Sequence, residues 1–361
     1  MARIVVVGRK TIGGPLIQKL LALGHKAVSS SSTKGVFEDH PDGSDMVKRV
    51  DLREPTQEIL ADAFDKYCCG PDQATVAFLA IPSSGEGKVE LEYIRYFRSR
   101  GLYVILFSKG AFAYEYAELV PHLDWIGARA VCGARVSMLP WLDMHCLRGK
   151  VITLRGIINT SNNRFFTETG NGSPIDDAYS MVKDLHLAEP GSTNPVSFVN
   201  GEVMDQLLKM CAIYNGCFAP TGGPFVNPHL LGKPVEVRPE NLSALTSPRV
   251  KVRPIVRITN KIGQELDFEE GSPGSLRSEF GGYEFSFGFC NVSGSDSVSQ
   301  WAMANSGSFN AITIDTGGEG PLETRGIGAG QGPTIGAGLC DLQKYLDMAA
   351  RLPAIEKAVA A

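Results

Sequence analysis

The first third of the chain holds short, unbroken apolar runs that stop abruptly, and these limit the fold most. Arg3-Ile-Val-Val-Val ends at Gly8, Thr75-Val-Ala-Phe-Leu-Ala-Ile81 ends at Pro82, and Leu102-Tyr-Val-Ile-Leu-Phe107 ends at Ser108. Runs so short and so free of polar alternation read as strands buried on both faces. Between them the period changes. After Gly13-Gly14-Pro15, the residues Leu16, Ile17, Leu20 and Leu21 recur at helical spacing, and Gly24 is a natural stop. Residues 89–101 read as a second helix and His25-Lys-Ala-Val-Ser as a further strand. Strands that alternate with helices require a parallel sheet with right-handed crossovers. Ligands of such sheets sit at the carboxyl ends of the strands. Here those ends are residues 8–13, 29–34, 81–84 and Ser108-Lys109.

The first of these ends is an imperfect dinucleotide fingerprint. Gly8-Arg9-Lys10-Thr11-Ile12-Gly13 keeps the first and third glycines of Gly-x-Gly-x-x-Gly. The second glycine, which lets backbone approach a pyrophosphate, is replaced by Lys10. That ammonium can pair with the diphosphate, or its side chain can crowd it. An ordinary βα turn that happens to contain glycines is the competing reading. At the end of the second strand, Ser29-Ser-Ser31-Ser-Thr33-Lys34 offers no acid before Glu38. NAD sites place a carboxylate there for the ribose hydroxyls, so hydroxyls with Lys34 and Arg9 favour NADP, with NAD possible. A polar loop with no ligand role is the alternative.

Composition narrows the function classes. With 35 Lys+Arg against 39 Asp+Glu the net charge is −4, which gives no footprint for nucleic acid or an anionic membrane surface. No apolar run is long enough to span a bilayer, and the first residues run straight into a strand, so a soluble, cytoplasmic protein is expected. The cysteines, among them the adjacent Cys68-Cys69, show no Cys-x-x-Cys pairs, and the six histidines show no ligand spacing. Reduced thiols and no metal site are expected. Ser83-Ser84 lies at a strand end without a nucleophile elbow, which argues against a serine hydrolase.

Beyond residue 100 the chain resembles the homoserine dehydrogenase family, over its whole length and in the family's order. The resemblance rests on Ser108-Lys109-Gly-Ala, Leu139-Pro140 and Gly156-Ile-Ile-Asn159-Thr160. It continues through Asp184-Leu-His-Leu-Ala-Glu189-Pro190, Asn194-Pro195, and Gly201 with Asp205-Gln-Leu-Leu-Lys209. Asn305-Ser-Gly-Ser-Phe-Asn310 and Gly326-Ile-Gly-Ala-Gly330-Gln-Gly-Pro-Thr334 complete it. The chain departs from the family pattern at four places. Lys10 stands in the fingerprint, and Cys132 stands where a glutamate often serves a monovalent cation. Residues 191–193 and 202–204 hold extra length.

The resemblance implies NADP-linked interconversion of aspartate 4-semialdehyde and homoserine, with a small-molecule substrate and a homodimer. It implies Lys109 and Lys209 as catalytic residues, with Lys109 as general acid and Lys209 as oxyanion and orientation partner. Glu189 and Asp205 would anchor the substrate amine, with Asn159 and Thr160 lining the site. Gly8, Arg9, Lys10, Thr11, Ile12, Gly13, Ser31, Lys34, Ile81, Pro82, Lys109, Gly330 and Thr334 would hold the cofactor. The chemistry is sensible for these residue types. A carbonyl reduction needs a proton source, and a lysine in a partly buried site can be one. Carboxylates suit an ammonium group. Asp205 and Lys209 are four apart on a helix and share a face, so an exposed ion pair with no other role is the alternative.

The expected architecture is α/β: a Rossmann-type domain from residues 1–136 and 326–361, and an α+β catalytic and dimerisation domain over 137–325 with a mostly antiparallel sheet. Its strands are read at Val151-Ile-Thr-Leu-Arg and in the alternating runs at 250–259, 283–289 and 309–315. Sixteen of the 40 glycines fall in residues 271–338. Their densest stretch, 326–338, reads as the return to the first domain, with a last helix starting after Gly338. Two further functions stay open: a related reductase for another amino aldehyde, keto acid or imine, and a silent dinucleotide-binding protein.

Overall fold

The computed structural model describes residues 2–31, 35–39, 47–50, 64–65, 75–83, 85–145, 151–188, 191–247, 251–266, 268–292, 309–318 and 320–359. They form two compact units. One comprises residues 1–111, 118–131 and 334–361, the other residues 112–117 and 132–333.

The first unit is built on a seven-stranded sheet of order β4-β3-β2-β1-β5-β6-β7. Its strands are β1 (Arg3–Val7), β2 (Lys26–Ser31), β3 (Gly35–Asp39), β4 (Val47–Val50), β5 (Val76–Leu79), β6 (Tyr103–Leu106) and β7 (Ile126–Gly127). The pairs β1–β2, β1–β5 and β5–β6 are parallel, as expected, and the short β7, for which no strand was expected, adds a parallel pair with β6. The edge differs from the expected all-parallel sheet. Gly35–Asp39, for which no strand was expected, forms β3 antiparallel to β2, and β4 pairs antiparallel with β3. Helix α1 (Gly13–Ala22) buries Leu16, Ile17, Leu20 and Leu21, and α2 (Lys88–Ser99) buries Leu91, Ile94 and Phe97. Because β2 and β5 flank β1, the order reverses at β1, and doubly wound sheets bind their ligands at the carboxyl end of such a switch point.

The last helix, α7 (Gln331–Val359), begins before Gly338, after which it was expected to start, so Gly332, Gly336 and Gly338 lie within it. A glycine inside a helix carries a propensity cost, and here close packing accounts for one of them. A Cβ on Gly338 would lie 2.6 Å from Phe107 Cζ. Ile335 and Leu342 of this helix join Ile4, Val6, Leu20, Phe78 and Ile105 in one core, and Tyr345 stacks on Tyr103 at 4.8 Å.

The second unit is built on a six-stranded sheet of order β10-β11-β9-β8-β12-β13. Its strands are β8 (Thr153–Ile157), β9 (Val252–Thr259), β10 (Leu276–Phe280), β11 (Tyr283–Asn291), β12 (Phe309–Asp315) and β13 (Leu322–Ile327), and all its pairs are antiparallel. Helices α3 (Met138–His145), α4 (Thr160–Gly170), α5 (Ile175–Asp184) and α6 (Pro195–Ile213) complete it. Rings join the layers: Phe166 of α4 meets Phe289 of β11 at 4.7 Å, and Phe165 meets Phe198 of α6 at 5.5 Å. Among the described residues no helix is long and apolar enough to cross a membrane, and no cluster of metal-ligating side chains forms. Among the described cysteines, Cys211 and Cys340 are free thiols.

Candidate functional site

In the first unit the fingerprint forms a tight turn between β1 and α1. Gly8 has φ +96°, and a Cβ there would lie 2.3 Å from the Ala80 carbonyl oxygen. A Cβ on Gly13 would lie 1.8 Å from the Gly8 carbonyl oxygen. These two glycines are therefore demanded by backbone packing, whatever the turn binds. Lys10 takes no left-handed conformation, and its carbonyl accepts from Gly14 N–H at 3.0 Å, so the turn closes without a second glycine. The Lys10 and Thr11 side chains are exposed, and Ile12 is half-buried against the core.

Arg9 reaches the end of β2. Its guanidinium donates to the Ser29 hydroxyl and lies 4.7 Å from the centre of the Phe37 ring. The ring comes from β3, the strand that the sequence reading missed, and lies within cation–π reach of the guanidinium. Ser31 ends β2, and Lys34 lies outside the described residues. Ile81 packs beside Gly8, and Pro82 is exposed. Ser83 Oγ accepts from the Lys109 N–H at 3.0 Å, which ties the turn after β6 to the turn after β5. Lys109 itself is half-buried.

In the second unit a polar cluster is buried under the sheet. Helix α6 starts where Asn194 and Ser197 cap each other: Ser197 N–H donates to Asn194 Oδ1 at 2.9 Å, and Asn194 N–H donates to Ser197 Oγ at 3.1 Å. Pro195 takes the first position, where its missing N–H costs nothing. One stripe of this helix carries Glu202, Asp205 and Lys209, which are 2%, 5% and 8% exposed. Lys209 Nζ lies 2.6 Å from Asp205 Oδ2, so the pair is buried rather than a solvated surface bridge.

Asn159 is the hub of this cluster. It follows β8 and caps α4, where its Oδ1 accepts from Asn162 N–H at 2.7 Å. Its Nδ2 donates to Glu202 Oε2 at 2.8 Å and to Asp205 Oδ2 at 3.0 Å. Two carboxylates, one ammonium and one amide thus share a volume from which water is largely excluded. Thr160 donates its hydroxyl proton to Asn310 Oδ1 at 2.9 Å, and Asn310 Nδ2 donates to the Ile158 carbonyl at 3.3 Å. Gly328 presses on that pair, since a Cβ there would lie 2.1 Å from Asn310 Cγ. Gly330 turns the chain with φ +107°, and Thr334 lies in the first turns of α7. Glu189 lies outside the described residues.

Among the expected substrate-side residues, Asn159, Asp205 and Lys209 are brought together by hydrogen bonds and an ion pair. Glu202 and Asn310 are members that the sequence reading did not name as site residues. The signal for Glu202 was available: it sits three positions before Asp205 and seven before Lys209, on one helical stripe.

The protein is thus a Rossmann-type α/β unit joined to an antiparallel α+β unit with a buried ionic cluster. No protein-family model and no curated protein sequence matches the chain. Solved structures do share its fold. The homoserine dehydrogenase of Thermoplasma acidophilum matches with a TM-score of 0.67 at 15% identity, over 96% of this chain and 99% of that one. A hyperthermophilic archaeal homoserine dehydrogenase in complex with NADPH matches with a TM-score of 0.60 at 15% identity, over 95% and 97%. A Candida auris protein of unknown function matches with a TM-score of 0.62 at 14% identity, over 96% and 98%. The fold is that of the homoserine dehydrogenases, and fold alone does not fix an activity.

Proposed function

We propose that the protein is an NADP-linked oxidoreductase of the homoserine dehydrogenase type, acting on an amino-bearing aldehyde and its alcohol. The observation that carries this reading is the buried Asn159–Glu202–Asp205–Lys209 cluster on a fold shared with homoserine dehydrogenases. Burying three charges is costly unless they are paired or needed. Two buried carboxylates on one helical stripe, close to a lysine, are groups that suit a cationic substrate amine.

The dinucleotide, when bound, supplies or accepts the hydride. The first unit fits it through the close-packed Gly8–Gly13 turn and the Arg9 cation at the end of β2. Arg9 held against Phe37 and Ser29 suits a 2′-phosphate, which favours NADP over NAD. The Lys10 ammonium, exposed at the turn, adds charge for the diphosphate. In the reducing direction the carbonyl carbon gains the hydride and the carbonyl oxygen gains a proton. Lys109 is the proposed donor of that proton, and Lys209 the group that steadies the forming alkoxide. Asp205 and Glu202 anchor the amine, with Glu189 as a further anchor. Thr160 already donates its hydroxyl proton to Asn310, so toward a substrate its oxygen is left as an acceptor. A homodimer is part of the proposal, and sedimentation equilibrium tests it.

Aspartate 4-semialdehyde and homoserine, each offered with NAD(H) and NADP(H), test the reaction. Turnover with NADP(H) supports it. NADPH binding without turnover of either compound overturns this substrate and favours a related reductase. Glu202, a second buried carboxylate beside Asp205, is the observation behind that second reading. Single-turnover hydride transfer tests the residue roles. Lys109→Ala and Lys209→Ala should each slow it by about a hundredfold or more, and wild-type rates in both would sink the assignment.

A further inference from the structure

The turn that carries Lys109 is built against a buried acid. Glu90 lies in the first turn of α2, is 1% exposed, and shares the apolar face of that helix with Leu91, Ile94 and Phe97. A Cβ on Gly110 would lie 2.2 Å from Glu90 Oε2, so the carboxyl fills the space that a side chain at Gly110 would need. Gly87, just before α2, has φ +78°, and a Cβ there would lie 2.5 Å from the Gly110 carbonyl oxygen. The start of α2 and the turn after β6 are therefore interlocked. Burial pushes the Glu90 carboxyl above its usual range, while the Ser108 hydroxyl, the N–H groups of Gly110 and Ala111, and the charge of Lys109 pull it back. These polar contacts are loose, for neither Glu90 oxygen nor the Ser108 hydroxyl makes a well-formed hydrogen bond. Among the described residues, Lys109 is the charged group whose field acts on this carboxyl.

An apolar side chain would fill this place without the cost of burying a carboxyl. What the acid adds is charge next to Lys109 and acceptors beneath the backbone on either side of it. We propose that Glu90 is the positioning residue of this turn, fixing the backbone of Ser108-Lys109-Gly110 and keeping the Lys109 amine in its charged, proton-donating form. The proposal rests on the reading of Lys109 as proton donor and adds to it the residue that prepares the donor. Glu90 acts through Lys109 and touches no reacting atom.

Acetylation of lysines by acetic anhydride, followed by peptide mass spectrometry across a pH series, reads the ionisation of Lys109 without any substrate. In the wild type, the Lys109 midpoint should lie at or above that of the exposed Lys19 in the same sample. A midpoint a full unit lower would overturn the proposal. In Glu90→Gln the Lys109 midpoint should fall by about half a pH unit or more, since the nearby negative charge is gone. Glu90→Asp, which keeps the charge, should restore most of that shift. With the substrate that the wild type turns over, Glu90→Gln should lower kcat about tenfold while KM and NADPH affinity stay within about twofold. An unmoved Lys109 midpoint together with an unchanged kcat in Glu90→Gln overturns the proposal. The labelling needs no turnover, so it judges Glu90 even if the proposed substrate fails.

Discussion

Asn159 shows how much organisation one amide can impose. Its carbonyl oxygen starts α4, and its NH2 group holds the carboxylates of Glu202 and Asp205. The sequence shows an asparagine after a strand, which reads as a cap; the second task depends on where α6 lies and cannot be read from neighbours along the chain. The strand-end place of Lys109 and the four-residue spacing of Asp205 and Lys209 are local facts of the sequence, while their proposed roles come from the resemblance. Glu202 shares that spacing, but an acid in a helix is usually solvated, and only the burial of the whole stripe sets it apart. A consequence for stability follows from the ion pair. Lys209→Met leaves Asp205 buried without its cation and should destabilise the second unit by about 3–5 kcal/mol in urea unfolding. The Asp205→Asn/Lys209→Met double variant should lose less than the sum of the singles. Strict additivity would show that the two residues are not coupled in the folded protein.

At the scale of elements, the buried parallel strands and the amphipathic helices were readable because their periods are unambiguous. The strands β3, β4 and β7 were not. β3 comes from Gly35-Val-Phe-Glu-Asp, too short and too polar to stand out, and its pairing with β2 decides its structure. The early start of α7 was hidden by its glycines, whose local cost is overridden by packing against Phe107. In the other sheet, Glu284 on β11 is buried between Arg257 on β9 and Arg277 on β10, at 3.2 and 2.8 Å. Burial alone would raise its carboxyl, but the Arg277 hydrogen bond, the Gly263 N–H, the charge of Arg277 and the Arg257 contact bring it below the ordinary value. A depressed carboxyl binds fewer protons folded than unfolded. Its stabilisation is therefore full above about pH 4.3 and lost as pH falls through the lowered value. The stability difference between wild type and Glu284→Gln should be constant near neutrality and shrink in acid. A difference that grows in acid would reverse the assigned sign.

The whole molecule is two units on one chain, and the chain visits the first unit, leaves it, and returns. Two domains and a returning last helix are what length and pattern predict; the places where the chain crosses are set by packing that no local signal announces. The first unit's core includes Ile335 and Leu342, so a chain ended at residue 333 lacks part of it while keeping every residue assigned to the second unit. Hydrogen exchange on that shortened chain should show protection lost in β1, β5 and β6 and kept in β8, β9 and β11. Equal loss in both sheets would mean that the units do not hold their structure separately.

That returning helix also sets an order of assembly. On the ribosome, β1 to β7 emerge before the second sheet, but the helix that covers Phe78 and Ile105 is made after all of it. The first sheet therefore waits, with an apolar face open, while some two hundred further residues are synthesised, about ten seconds or more at ordinary elongation rates. The first sheet is thus completed only after the second sheet has been made, and its apolar face stays open during that interval.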